Sequence, residues 1–406
     1  MPREEKPRYG LRRFIAALSV GLIVIIGAGV PLSIVAPVPQ ASADVAAEQQ
    51  SVTAAAAPVF PSFGSSAIAA VGMDGVLAKH GSQSPRQIAS ITKIITALVV
   101  LKAKPLDPAE QGPTITFTQK DVQILSEVLA DNGSWQAVQA GWRTSERAAL
   151  ETMLIPSANN YAESLAVWAY GSVPKYLVAA RAFLQANHLD DTTLVDTNGL
   201  SSGDTSTPTD LVRLGEIALG TPVIAAIVQK SSADEPNVGE LANTNKLLGS
   251  HGVDGIKTGT YDTVKANLLF SAKVTVGTRT VQLVGVILGA ATHTVLDARV
   301  PALLTSVTRS LHDLPLATKG QAFASYMTKW GRVGKAVASK DVSRLVYGQA
   351  KLVREAHVRS ISGGREGTHV GSVVYVVNGT RITVPLVLDR DVLAAPVWWR
   401  LTHPLR

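Results

Sequence analysis

The chain has 406 residues, 46% hydrophobic and 17% charged, with no cysteine. That composition supports a large buried core and excludes a mainly disordered chain, a disulfide framework, a thiol nucleophile and a cysteine-ligated zinc site. The formal net charge is +7, but residues 315–406 alone hold 14 Lys and Arg against 5 Asp and Glu, so the C-terminal segment is the part that invites an anionic polymer, a membrane surface or nucleic acid.

In chain order, Arg3, Lys6, Arg8, Arg12 and Arg13 precede an uncharged apolar run over 14–36, and Ala41-Ser42-Ala43 follows. This predicts an export signal over 1–43. The run is also long enough for an uncleaved N-terminal membrane anchor. Either reading keeps the basic flank inside and sends the body of the chain out, secreted or anchored to the membrane. Residues 44–58 are small and polar and read as a linker. Residues 67–79 read as two short strands around Asp74-Gly75. The apolar stretch 88–100 predicts a helix that places Ser90 and Lys93 on one face. Helical signals dominate 114–219, with runs beginning at Thr144, Asn159, Val173 and Thr209. Strand signals return at 266–274 and 280–289, and 298–312 reads as a closing helix. Strands flanking a helical middle predict one α/β or α+β domain over 59–314. In 315–406 two alternating runs meet at Asn378-Gly379, a hairpin signal, so this segment reads as a separate, small, basic β-rich domain. Trp398-Trp399 reads as a cap on its core, with a docking patch as the alternative.

Three short clusters carry the chemistry. Ser90 and Lys93 are spaced S-x-x-K; a Lys against apolar surface loses its charged form and becomes a base for a neighbouring hydroxyl. Alone this pattern is weak, because a helix cap and a snorkelling Lys explain it as well. Ser172 and Lys175 match it too, but they bracket Pro174 and no long apolar run follows. Ser157-Ala158-Asn159 and Lys257-Thr258-Gly259 are the second and third clusters, and each also has a plain reading as a cap or a turn. In this order the three match the set found in penicillin-binding proteins and class A β-lactamases.

Beyond these triplets, Met153-Leu-Ile-Pro-Ser-Ala-Asn-Asn160, Asp196-Thr-Asn-Gly-Leu200, Asn243-Thr-Asn-Lys-Leu-Leu248 and Gly252-Val-Asp-Gly-Ile-Lys-Thr-Gly259 resemble the serine-type D-alanyl-D-alanine carboxypeptidases, the low-molecular-mass penicillin-binding proteins. The resemblance covers residues 67–312. It implies a β-lactamase/transpeptidase-like antiparallel sheet flanked by helices, with an inserted helical subdomain. It implies a substrate that is a peptidoglycan stem peptide ending in D-Ala-D-Ala, with β-lactam antibiotics as covalent inhibitors, no metal or other cofactor, and no nucleic-acid partner. It implies Ser90 as nucleophile, Lys93 as base, Ser157 as proton relay and Asn159 as the residue orienting Lys93 and the substrate. Lys257, Thr258, Gly259 and Thr260 would bind substrate, with the backbone N–H groups of Ser90 and Thr260 as oxyanion hole.

The chain departs from the family pattern twice. A Gly expected shortly after K-T-G is replaced by Val264-Lys265-Ala266, and the Arg expected after the later Gly-rich strand is absent from 289–299, where His293 and Arg299 are the substitutes on offer. A β-lactamase also needs a Glu some distance after S-x-N; that window holds Asp190, Asp191 and Asp196 but no Glu. A DD-endopeptidase would use the same residues on a larger substrate, and a catalytically dead envelope-binding protein is the non-enzyme alternative.

Overall fold

The structure is a computed structural model that describes residues 9–35, 43–45, 49–51, 57–261 and 265–403. The chain forms two compact units, one of residues 55–312 and one of residues 1–54 with 313–406.

The first unit is built on five antiparallel strands, β1 (Ser65–Ala70), β2 (Ala78–His80), β3 (Val253–Tyr261), β4 (Lys265–Val276) and β5 (Arg279–Ala290), in the order β3-β4-β5-β1-β2. Both ends of the unit therefore share one sheet, with Ile68 opposite Gly285 and Lys257 opposite Leu269. β4 and β5 are Val/Leu-rich and buried throughout 266–272 and 283–288, as strand segments covered on both faces must be. The triplet Lys257-Thr258-Gly259 lies within β3 rather than in a turn before a strand. Its glycines hid the strand pattern, and Gly259 is there for close approach: a Cβ would meet the Ile88 carbonyl oxygen at 2.8 Å.

The helices run in chain order from α1 (Tyr9–Val35), with α3 (Gln119–Ala130) and α8 (Pro222–Val228) among them, and four matter for the site. α2 (Thr92–Ala103) follows a single 3-10 turn at Ala89–Ile91 and is buried at every residue from Thr92 to Leu101. A helix apolar all round belongs at the centre of a domain, and α2 packs against α4 (Glu146–Leu154), α5 (Asn159–Tyr170) and α6 (Val173–Ala186). Ser145 caps α4, its Oγ accepting from Ala148 N at 3.1 Å, and Ser172 caps α6, its Oγ accepting from Lys175 N at 3.4 Å. The second S-x-x-K match is thus a cap with Pro174 in the first turn. α7 (Pro208–Leu219) lies on the sheet at Gly215, where a Cβ would meet Val284 Cγ1 at 2.5 Å. The closing helix α10 (Val300–Arg309) is shorter than expected: the short helix α9 (His293–Asp297) is capped at Ala298 just before it, and a strand begins at Leu311 just after it.

The second unit contains a seven-stranded sheet whose centre is the hairpin His369–Val377 and Thr380–Leu388, turning at Asn378 and Gly379 with φ of +48° and +86°. Its core is Tyr326, Ala336, Val370, Val373, Val384, Leu386 and Leu388. Of the segment 44–58 read as a linker, residues 44–45 and 49–51 lie in short edge strands, Ala43–Val45 beside Ala322–Met327 and Gln49–Ser51 beside Lys351–Val358, while residues 57 and 58 are in no element. Small polar residues give no strand periodicity, so only the tertiary pairing marks them. Trp398 does not cap the core: it is 74% exposed, while Trp399 packs edge-on against Trp330 with ring centroids 5.7 Å apart. Tyr9–Val35 is one helix of 27 residues. Among the described residues no single helix is long and apolar enough to cross a membrane.

Candidate active site

The site forms where the start of α2, the loop into α5, the turn after α6 and strand β3 converge. Ser90 lies in the 3-10 turn, so its Oγ and the Lys93 side chain rise from one face. Lys93 Nζ is 2.7 Å from Ser90 Oγ and donates to the Asn198 carbonyl oxygen at 2.8 Å. Lys93 is fully buried. Burial, and then the cation of Lys257, push its pKa well below the ordinary lysine value, with Asp196 and Asp204 pulling weakly the other way. A neutral amine whose N–H is held by a carbonyl has its lone pair free for the Ser90 hydroxyl proton.

The backbone under Ser90 is strained and held from two sides. Ala89 has φ +52°, a conformation costing on the order of 1 kcal/mol or more for a non-glycine residue. Gly259 presses on Ile88 from β3, as above. Gly199 presses from the turn, where an added Cβ would stand 2.0 Å from the Ala89 carbonyl oxygen. That turn is tied by Asp196, whose carboxylate accepts from the backbone N–H of Asn198, Gly199 and Ser201 at 2.6–2.7 Å. Asp204 lies beneath it. Its carboxylate accepts from Val195 N at 2.7 Å and from Thr92 Oγ1 at 3.2 Å, and burial followed by the nearby Asp196 raises its pKa to about 8.

Ser157 and Asn159 stand at the entry to α5, which packs on α2. Ser157 is a second strained residue, φ +70°, and is buried. Asn159 is buried too, and its Oδ1 has no hydrogen-bond partner among the described residues. An acceptor left bare in a closed site is expensive unless a ligand N–H meets it.

On β3, Lys257 is 1% exposed, and burial brings its pKa down to about 7. Its Nζ donates to the Thr258 carbonyl at 3.2 Å. Thr258 Oγ1 shares a proton with Thr244 Oγ1 at 2.6 Å, and the exposed Thr260 Oγ1 lies 2.5 Å from His293 Nε2. The structure thus brings Ser90 directly to Lys93, and Lys257 into electrostatic reach of both Lys93 and His293. Val264 lies outside the described residues, and Arg299 is exposed.

Sequence reasoning passed over three supports: the Asn198 carbonyl, Asp204, and Thr244 behind Thr258. The first and the third lie inside two of the segments that carry the family resemblance, Asp196-Thr-Asn-Gly-Leu200 and Asn243-Thr-Asn-Lys-Leu-Leu248, which by themselves give them no role. Nothing local marks Asp204, whose role comes from tertiary placement alone.

The chain is 25% identical to the D-alanyl-D-alanine carboxypeptidase DacC of Escherichia coli over 328 residues, 78% of this chain and 81% of that protein. A D-alanyl-D-alanine endopeptidase of Pseudomonas aeruginosa is 37% identical over 128 residues, 31% of this chain and 38% of the other. In fold the chain is similar to penicillin binding protein 5 from Haemophilus influenzae, with a TM-score of 0.58 at 19% identity over 82% of this chain and 99% of that one. Residues 55–292 match the D-alanyl-D-alanine carboxypeptidase family, more than half of the chain, and the chain belongs to that family.

Proposed function

We propose that residues 59–314 are the catalytic domain of a serine carboxypeptidase that removes the terminal D-Ala from peptidoglycan stem pentapeptides, with residues 315–406 a non-catalytic β module. The observation that carries this reading is Lys93, wholly buried and 2.7 Å from Ser90 Oγ. Ser90 Oγ attacks the carbonyl carbon of the penultimate D-Ala while neutral Lys93 takes the hydroxyl proton. The oxyanion of the tetrahedral intermediate sits between the backbone N–H groups of Ser90 and Thr260. As the C–N bond breaks, the proton passes from Lys93 through Ser157 to the leaving amine of D-alanine. Water then attacks the Ser90 ester, releasing the shortened peptide and restoring the hydroxyl. Asn159 Oδ1 accepts from a substrate amide N–H. Lys257 and Thr258 hold the terminal carboxylate, and Gly259 keeps the wall of the cleft low.

The work of such an enzyme lies outside the cytoplasm, on the cell wall. Residues 1–43 then serve as export signal or, through residues 14–36, as membrane anchor. Penicillins, which mimic the acyl-D-Ala-D-Ala end, acylate Ser90, and without a Glu to activate water the adduct persists. The test incubates the protein with a pentapeptide ending in D-Ala-D-Ala and, separately, with penicillin. The expected results are a mass loss of one alanine and a stable adduct on Ser90. Ser90→Ala abolishes both, lowering D-alanine release by about 10³-fold or more; retained release removes Ser90 from the mechanism. The endopeptidase reading rests on the P. aeruginosa relative's identity. A cross-linked dimer cleaved faster than the pentapeptide would favour it.

A further inference from the structure

The Thr260–His293 contact has no part in the chemistry above. Thr260 is exposed at the end of β3, on the same strand as Lys257 and Thr258, and its Oγ1 lies 2.5 Å from His293 Nε2. His293 opens α9, which packs on the ends of β4 and β5 and against α10. A threonine hydroxyl has one proton and two lone pairs. When Nε2 carries only its lone pair, Thr260 gives its proton to the ring and turns lone pairs toward the cleft. When Nε2 carries hydrogen, the ring donates, and the hydroxyl proton is free to point at an anion.

We propose that His293 is a positioning residue that sets the direction of the Thr260 hydroxyl proton and so determines how tightly the enzyme holds the C-terminal carboxylate of its substrate. This rests on the reading of the Ser90 site above and assigns a residue to the place where the expected arginine is missing. The wild type then holds a carboxylate best in the Nε2–H state. The two binding events, proton on His293 and carboxylate on Thr260, favour each other by the same factor.

The charged residues on the elements around His293 are Asp254 and Lys257 on β3, Lys265 at the start of β4, Lys273 and Arg279 towards the far ends of β4 and β5, Asp297 on α9 itself, and Arg299 and Arg309 at the two ends of α10. Burial, and after it Lys257, lower the His293 pKa. The ring is therefore neutral at neutral pH, and its doubly protonated state belongs to the acid side.

The test compares wild type, His293→Phe and His293→Gln, as full chains, on a peptide ending in D-Ala-D-Ala and on the same peptide with a C-terminal amide. The phenylalanine variant leaves Thr260 without a donor, while glutamine offers an amide donor that does not titrate. On the carboxylate peptide, KM of His293→Phe over wild type is expected to be about tenfold on the acid limb of the imidazole titration. It falls to unity or below as pH rises, because the neutral ring then takes the hydroxyl proton that phenylalanine leaves free to turn, with kcat following one common profile. His293→Gln is expected to restore the low KM with no such dependence, and the amide peptide to show no difference among the three proteins. An active wild type with a flat ratio, or an amide peptide equally affected, overturns the role of His293 and leaves Ser90 in place. A wild type that releases no D-alanine overturns both readings.

Discussion

Helix α2 and the hairpin His369–Leu388 are the centres of their units, and they are built on opposite terms. The hairpin largely alternates: Val373, Tyr375 and Val377 on one strand and Val384, Leu386 and Leu388 on the other are buried in the core, with Val374 the one added buried residue between them. Among the described residues from 313 to 403, Thr328 is the one buried polar residue, with tyrosine counted as hydrophobic. The α2 unit buries Lys93 and Lys257 completely, with Glu146, Asp204 and Asp210 also out of solvent. It adds strained backbone at Ala89 and Ser157. A fold chosen for stability alone has no use for such features. Lys93, Lys257, Ala89 and Ser157 belong to one cleft, and they mark where stability has been given up for reactivity.

The sharpest break in this contrast is Lys93→Met. It removes the buried amine while keeping the bulk, and should lower D-alanine release by about 10³-fold or more without unfolding the protein. Its stability should also respond differently to pH. The native Lys93 pKa lies below its unfolded value, so between the two the unfolded chain binds the extra proton. That part of the stability is therefore lost as pH falls and recovered as pH rises towards the ordinary lysine range. The thermal midpoint of Lys93→Met should vary less over that range than that of wild type. Parallel curves would mean that Lys93 is charged in the native state.

Gly199→Ala comes next. Its Cβ would overlap the Ala89 carbonyl at a φ of +87°, so denaturant unfolding should show a loss of about 2–4 kcal/mol. Penicillin acylation should slow along with it, since the displaced atoms carry Ser90. The smallest effect is expected in the C-terminal unit. Tyr326→Phe deletes a hydroxyl that donates to the Arg359 carbonyl at 2.8 Å. That should cost about 1 kcal/mol of stability and leave kcat/KM for the pentapeptide unchanged; a fall in kcat/KM would show that the two units are coupled.

What the sequence reveals follows the same divide. Periodic signals survive where side chains report only on burial, so α2, β4, β5 and the hairpin at Asn378-Gly379 are legible from spacing alone. So is the Ser90–Lys93 pair, because three residues are nearly one helical turn. β3 is hard to read, since Gly255 and Gly259 serve close packing rather than the pleat. The pairing of Thr260 with His293 and the support of Lys93 by the Asn198 carbonyl are invisible. Both join residues distant in sequence, and a backbone carbonyl leaves no trace in residue identity.

The pairing of β1 with β5, Ile68 opposite Gly285, sets an order of events during synthesis. Ser90 and Lys93 are made early, yet β1 lacks its central partner until β5 exists, and Lys257 is nearly as late. A partly made chain cannot dry out Lys93 or draw in Lys257, so it holds a protonated lysine and an ordinary serine. The long loop that must close before the sheet forms also predicts slow folding for this unit. The nucleophile therefore stays inert until nearly the whole unit is present.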